Sequence, residues 1–184
     1  FDHWFTDRDR DLNYALPDWL RGGLNDYIAG GRAKGRKIDF RPDDWDRDEA
    51  RLAHAQGKSV PPRDLITMTR TEFMSGGNSG GTNYWNRSAQ SAMLVRYLMS
   101  PEAKRCKQAK GLIERYIVAL DEIIEEQDKR DNEALKETLE EATTEEEENE
   151  RAKKRAERWR EREKELMDAI YQRVFGDWKQ SDWK

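Results

Sequence analysis

The sequence is poor in the side chains from which most metal and nucleophilic sites are built. It contains one cysteine, Cys106, and two histidines, His3 and His54, in 184 residues. One cysteine excludes an intrachain disulfide and a cysteine-held zinc ion. The two histidines lie far apart and outside any HExxH motif, whereas catalytic zinc is usually held by three convergent protein ligands. We therefore predict no metal site and no catalytic residue within this chain, and we interpret His54 as a surface residue.

Long apolar runs are also missing. No stretch approaches the ~20 apolar residues that a membrane-spanning helix needs, so we predict no membrane span. The chain opens on Phe1 rather than on methionine, which predicts further sequence upstream.

Cys106 and a glycine-rich loop are the remaining candidates for chemistry. Lys104, Arg105 and Lys107 flank Cys106 and would favour its thiolate if the sulfur were exposed, but no histidine is near it in sequence. The loop SGGNSGGT at 75–82 has amides that could cradle an anion. It lacks the Lys-Ser/Thr ending of a phosphate-binding P-loop. We interpret Cys106 as a packed or surface residue and the loop as a flexible connector.

The sequence is rich in charged residues of both signs. Charged residues make up 39% and hydrophobic residues 35%, with a mean hydropathy of -1.15, so part of the chain is expected to be solvated along most of its length. The 34 basic and 38 acidic residues leave a net charge of only -4. Arg158-Trp159-Arg160 and Trp178-Lys179 could stack on bases, but acids within one turn would repel the phosphates. We predict no nucleic-acid binding.

Hydrophobic periodicity predicts a mainly α-helical fold with at most a minor strand near Ile38 to Phe40. The predicted helices run from Pro17 to Gly30, from Asp43 or Asp44 to about Gln56, from Arg63 to Met74, from Tyr84 to Met99, and from Pro101 through a stripe that ends at Ile124. The stripe of the fourth helix is formed by Ala89, Met93, Leu94, Tyr97 and Leu98.

A change of composition after Ile124 divides the chain into a helical body (1–124), a charged helical arm (125–165) and a C-terminal helix that docks on the body (166–184). In the arm, an acidic block at Glu145 to Glu148 precedes a basic block at Arg151 to Arg155, and opposite charges recur at helical spacing. The C-terminal stripe comprises Leu166, Met167, Ile170, Tyr171, Val174 and Phe175. We predict partner-facing positions at Arg158, Trp159, Arg160 and Trp178.

Two segments resemble the peptidase-MA-like gluzincins, uncharacterised zinc-peptidase-like domains of planctomycete-type bacteria. The run LPDWLRGGLNDYI at 16–28 resembles their pattern L-P-x-W-L-x-E-G-L-A-x-Y, and SAQSAMLVRYL at 88–98 resembles Y-A-Q-S-W-x-L-V-x-Y-L. With the tail at 174–178, the resemblance spans about 12–124 and 166–180. It implies the helical C-terminal subdomain of a gluzincin-like fold, and a bacterial extracytoplasmic setting.

The departures from that pattern concern the site. Gly22 stands where the family has its third zinc ligand, a glutamate, while Ser88 replaces a tyrosine and Ala92 a tryptophan. The HExxH helix would lie before Phe1. We therefore predict a non-catalytic binding or scaffolding protein without a cofactor, which uses its charged arm to engage a protein partner or a second copy. The alternative is a zinc metallopeptidase whose HExxH-bearing N-terminal half is absent from this chain.

Overall fold

The computed structural model describes residues 15–41, 43–75, 83–135, 161–179 and 182, and over these ranges the chain is mainly α-helical, as predicted. Arg158, Trp159 and Arg160 lie outside the described residues, as do residues 76–82 of the glycine-rich loop and 136–160 of the predicted arm. The elements, in chain order, are α1 (Asp18–Ala29), β1 (Gly31–Lys34), β2 (Lys37–Phe40), α2 (Asp44–Ala55), α3 (Pro62–Thr67), α4 (Arg70–Met74), α5 (Tyr84–Leu98), α6 (Pro101–Arg105), α7 (Leu112–Leu135) and α8 (the described residues 161–175).

Helix α1 begins directly after Pro17, whose carbonyl accepts the first backbone hydrogen bonds from Leu20 and Arg21 at 3.0 Å. Proline suits this position because its missing N–H would have no partner there in any case. The helix ends where the N–H of Gly30 bonds to Asp26, so the helix predicted from Pro17 to Gly30 is confirmed. The helices predicted to begin near Asp44 and at Tyr84 are confirmed too, each within about a residue of its observed end.

The basic stretch after α1 forms a β-hairpin, where the sequence predicts only a short extended segment at Ile38 to Phe40. Strands β1 and β2 pair antiparallel, with Lys34 opposite Lys37 and a two-residue loop between them. Gly35 opens that loop at φ 64, a left-handed conformation that glycine adopts without steric cost. Phe40 then stacks on Tyr27 of α1, with ring centroids 4.5 Å apart, and fixes the hairpin to the helix.

The helix predicted from Arg63 to Met74 is broken into α3 and α4. Met68 takes an extended conformation at ψ 129, and Thr69 begins a new helix with a capping box. The Thr69 hydroxyl accepts from the N–H of Glu72 at 3.3 Å, while the Glu72 carboxylate accepts from the N–H of Thr69 at 2.8 Å. This reciprocal pair satisfies donors that a helix start leaves free, so the break is locally stable.

The helix predicted to continue from Pro101 is also interrupted. Helix α6 ends at Arg105, and Gly111 takes a left-handed φ of 62 immediately before α7 starts at Leu112. Helix α7 is 24 residues long, which corresponds to about 36 Å. None of the helices in the described ranges combines the length and apolar character that a bilayer crossing requires.

The core lies where α1, α5, α7 and α8 meet. Trp19 and Tyr116 are almost fully buried, and their rings make an edge-to-face contact at 5.5 Å. The stripe predicted for the C-terminal helix enters the same cluster, with Leu166, Met167, Ile170 and Phe175 buried. Arg173 of α8 donates to Glu122 at 3.1 Å and to Glu126 at 3.2 Å, which ties α8 to α7 at the surface.

Candidate functional site

The crossing of α1 and α5 depends on Gly23, the neighbour of the position that the sequence analysis singles out. A Cβ atom at Gly23 would lie 2.5 Å from Val95 Cγ2 and 2.7 Å from the carbonyl oxygen of Ser91. Both partners are fully buried, and the Ser91 hydroxyl donates to the carbonyl of Arg87 at 2.7 Å. The two helix backbones therefore approach closely only because Gly23 has no side chain.

Gly22 has the opposite surroundings. Apart from its chain neighbours and the backbone of its own helix, no described atom lies within 4 Å of the place where its Cβ would be. It lines a cavity of about 170 Å³ together with Ser88, so the cavity brings together two positions at which this chain departs from the gluzincin pattern. The remaining lining residues are Asp18, Arg21, Asn25, Phe73, Met74, Tyr84 and Ser91.

The side chains around Gly22 do not fit a catalytic zinc ion. Among the lining residues that the structure describes, Asp18 is the one carboxylate, and it is already ion-paired with Arg21. The other polar groups are hydroxyls and an amide, whereas zinc prefers histidine, cysteine and free carboxylates. His54 is exposed in the last turn of α2 and does not line this cavity. Within the described ranges, no group of three or more histidine, cysteine or acidic residues could hold a metal ion.

Arg87 of α5 connects this helix to the C-terminal end of α4, beside the cavity that Gly22 lines. Its side chain is buried, and Nη1 donates to the carbonyl of Glu72 at 2.5 Å, to that of Phe73 at 2.8 Å and to that of Ser75. These carbonyls belong to the C-terminal end of α4, where backbone acceptors have no partner within the helix. The buried guanidinium therefore acts as a cap that fixes α4 against α5.

A pair of exposed tryptophans lines an open concave surface. Trp45 and Trp85 each occupy the second position of their helix, α2 and α5, and are 49% and 59% exposed. Their ring centroids are 5.8 Å apart and their planes lie at 86°. With Glu49 and Asn83 they line an open depression of about 400 Å³. We call these four residues the tryptophan corner.

The helix starts and the core hold the tryptophan corner in place. Asp43 caps α2 by accepting from the N–H of Trp45 at 3.0 Å, and Asn83 caps α5 by accepting from the N–H of Asn86 at 2.9 Å. Trp85 contacts Tyr84 at 5.2 Å between centroids, and Tyr84 contacts the buried Phe73 at 6.0 Å. A chain of aromatic contacts therefore connects the exposed rings to the core and limits their movement.

The start of α2 surrounds this corner with negative charge. Arg47 pairs with Asp44 at 3.0 Å and with Asp48 at 3.2 Å, while Glu49 faces the depression. Residues 43–51 carry more acids than bases, namely Asp43, Asp44, Asp46, Asp48 and Glu49 against Arg47 and Arg51.

Asp46 is buried on the inner side of α2, next to Trp45 in sequence. Burial and, to a smaller extent, the carboxylates of Asp26 and Asp43 raise its pKa to about 6, although the Arg96 guanidinium opposes the shift. Burial and Asp43 also raise the pKa of Asp26. Arg96 is held by the hairpin, because Nη1 donates to the carbonyl of Phe40 at 2.6 Å and the guanidinium lies over the ring of Tyr27 at 5.5 Å.

Of the singled-out residues that the structure describes, Gly22 and Ser88 share a cavity, whereas Trp178 and Cys106 do not line it. Trp178, predicted to face a partner, is half-buried and packs on Phe175 with centroids 5.1 Å apart. Cys106 is half-buried against the core, with its sulfur 3.6 Å from Gln108 Oε1. Trp45 and Trp85 were not singled out. The available signal was a tryptophan two residues after a helix cap, among polar neighbours that a core-facing ring would not have.

Compared with known protein families, curated proteins and solved structures, the chain matches none. The resemblance to the gluzincins, and with it the reading of Gly22 as a lost ligand position, stays a prediction.

Proposed function

We propose that this chain is a non-catalytic binding or scaffolding protein on a degenerate gluzincin-like fold, and that it docks a protein partner on the tryptophan corner. The observation that carries the proposal is the exposure of two contacting tryptophans over an open depression. Tryptophan is enriched among the residues that dominate binding energy at protein interfaces. A polar rim with an apolar centre, as around Trp45 and Trp85, is the usual anatomy of such a surface.

The energy available from covering the two rings is large enough to matter. A tryptophan buries roughly 200 Å² when it is fully covered. Covering the exposed half of both rings therefore removes roughly 200 Å² of apolar surface from water, which contributes about 5 kcal/mol before the costs of ordering the partner. The aromatic contacts to Phe73 reduce those costs on this side, because the rings are already oriented.

In this proposal the charged arm at 125–165 adds a second contact region. Its acidic and basic blocks would set the orientation of the partner, since charge patterns at an interface rim affect association rate and specificity more than affinity. We assign this role to Arg158, Trp159, Arg160 and Trp178, of which Trp178 also packs on Phe175 of α8.

The proposal is tested by selecting peptides from a displayed random library on the native protein, with counter-selection on the Trp85→Ala variant. We expect peptides that bind the native protein and lose at least tenfold in affinity to Trp85→Ala. Tyr97→Ala is the matched control, because Tyr97 lies on the same helix and is 47% exposed but does not line the corner. Peptides that bind both variants equally, or no enriched peptides, would contradict the proposal.

The metallopeptidase alternative predicts zinc binding and peptide hydrolysis, which the proposed function does not. A longer chain that includes the sequence upstream of Phe1 would have to bind one equivalent of zinc and hydrolyse peptides. We expect neither, because Gly22 offers no ligand and Asp18 is paired with Arg21. Stoichiometric zinc measured by atomic emission, together with hydrolysis that a chelator abolishes, would overturn the proposed function.

A further inference from the structure

We infer that the tryptophan corner recognises a positively charged side chain of the docked partner, that is, a lysine or arginine in a polypeptide segment. The inference rests on the proposed function and specifies the chemistry of the same surface. It is carried by the perpendicular rings, by the carboxylate beside them and by the charge of the surrounding helix start.

The geometry suits a cation. Two rings at 86° with centroids 5.8 Å apart form a corner, so that a group in the depression meets the π-face of one ring and the edge or face of the other. Cations are attracted to the negative face of an aromatic ring, most strongly to that of tryptophan. The apolar stem of a lysine or arginine can pack on the second ring while its charged end stays near water.

The charges around the corner have the complementary sign. Glu49 lines the depression, and Asp48 lies beside it on the same helix. A helix start carries the equivalent of about half a positive charge, which alone would favour an anion. At α2 the capping Asp43 and the acids Asp44 and Asp46 of the first turn outweigh that half charge, although Arg47 pairs with Asp44. The field at the corner therefore attracts cations and repels phosphates and carboxylates.

A neutral sugar is the other ligand that stacks on tryptophan, but it also needs several polar groups that fix its hydroxyls. Among the described residues that line the depression, two offer polar side chains beside the rings, Asn83 and Glu49. One carboxylate next to two π-faces is the simpler match to a single ammonium or guanidinium group.

The test follows the indole N–H signals of 15N-labelled protein in heteronuclear NMR spectra. The chain has seven tryptophans, and the signals of Trp45 and Trp85 are assigned from the spectra of Trp45→Phe and Trp85→Phe. The probe is Nα-acetyl-lysine amide, and its neutral isostere is Nα-acetyl-norleucine amide, which keeps the apolar stem and lacks the ammonium group. The buried Trp19 gives an internal reference within the same spectrum.

We expect the signals of Trp45 and Trp85 to shift in a saturable way with the lysine probe and not with norleucine, while Trp19 stays unchanged. Glu49→Gln should weaken the lysine affinity about threefold, the size expected for a half-exposed ion pair. Glu114→Gln, an exposed carboxylate on α7, should leave it unchanged. Raising the salt concentration should weaken the affinity of the native protein and change that of Glu49→Gln less.

Equal shifts with both probes would overturn the inference, since the corner would then recognise apolar surface without regard to charge. So would the absence of any shift, or an affinity for a neutral disaccharide that exceeds that for lysine. None of these outcomes depends on the library selection, which can still yield peptides whose binding requires Trp85. The failure of the cation inference is therefore distinguishable from failure of the proposed function.

Discussion

Helix α5 packs closely against α1 and makes an open, partly charged contact with α2. Towards α1 it presents Val95 and Ser91, which close on Gly23 without space for one further carbon atom. Towards α2 it presents Trp85 and Arg96, near a buried carboxylate, an open depression and two half-exposed rings. The first contact gains stability from close packing. The second keeps features that cost stability, which is expected where a surface serves recognition.

The two contacts of α5 are expected to differ in the substitutions that they tolerate. At the α1–α5 crossing even a methyl group has no place, whereas at the α2–α5 contact the loss of a charge or of a ring is expected to leave the fold intact. Three substitutions test this difference in tolerance by their effects on the free energy of unfolding.

Gly23→Ala should be the most damaging change. Its Cβ would clash with the buried Val95 side chain and with the Ser91 carbonyl, so that α1 and α5 must separate. Overpacking of this kind costs typically 1–3 kcal/mol, and we expect about 3 kcal/mol because one of the clashing groups is backbone. Urea unfolding followed by circular dichroism measures the loss. Unchanged stability would mean that the two helices can move apart freely, and the comparison would fail.

Asp46→Asn should instead stabilise the protein, by an amount that grows from about pH 4 and is complete above pH 6. The pKa of Asp46 is raised to about 6 in the folded protein, against roughly 3.9 in an unfolded chain. The folded state therefore binds this proton more tightly, and the free energy of unfolding falls as the pH rises from about 4 to above 6. Because asparagine stays neutral, we expect a gain of about 2 kcal/mol at pH 8 and none at pH 4.

Denaturant titrations of both proteins at the two pH values check this expectation. Asp44→Asn is the control, because its side chain is 84% exposed and its charge lies in water. A destabilised Asp46→Asn variant at pH 8 would show that Arg96 stabilises the charged carboxylate by more than burial and the neighbouring acids Asp26 and Asp43 destabilise it.

Gly22→Ala should have the smallest effect on the free energy of unfolding. It should raise that free energy, whereas Gly23→Ala lowers it. The position is helical and open, so alanine stabilises the helix by up to ~1 kcal/mol relative to glycine. A small rise in the melting temperature measured by calorimetry would agree. A marked loss would mean that Gly22 makes a close contact of its own, and the contrast between the two glycines would disappear.

Local signals in the sequence predicted most of the helices. Pro17 and Gly30 bracket α1, and Asp43 precedes α2 as a cap, so their bounds could be read from residue type. The break at Thr69 could have been read in the same way, because Thr-x-x-Glu is the pattern of a capping box, but the apolar periodicity across it favoured one continuous helix.

Apolar periodicity predicted the face that α5 buries only in part, since Ala89 and Leu98 are buried as expected. Tyr97 was expected in the stripe but is 47% exposed, while Ala92 and the fully buried Ser91 pack inside. Small residues are buried here because Gly23 brings the α1 backbone so close that larger side chains have no room. Gly23 lies about seventy residues before Ser91 and Ala92 in sequence. The periodicity within α5 therefore contains no information about it.

The tryptophan corner was missed for a related reason. Nothing local to Trp45 or Trp85 indicates that the other is near, since their meeting depends on how α2 and α5 pack. The hairpin, by contrast, had a local signal in Gly35 between two basic stretches, which the prediction of a single short strand overlooked.

The position of α8 has a consequence for the order in which the molecule assembles. The Glu163 carboxylate accepts from the N–H of Arg70 at 2.7 Å, across 93 residues of sequence, and Ile170 fills the cluster that contains Trp19 and Tyr116. Contacts so distant along the chain form late, because the entropy of closing the intervening loop is lost before they form. During synthesis, we therefore expect the apolar surface that α8 covers, around Trp19 and Tyr116, to stay open to water until residue 175 has left the ribosome. A nascent chain halted before that point offers that surface to chaperones.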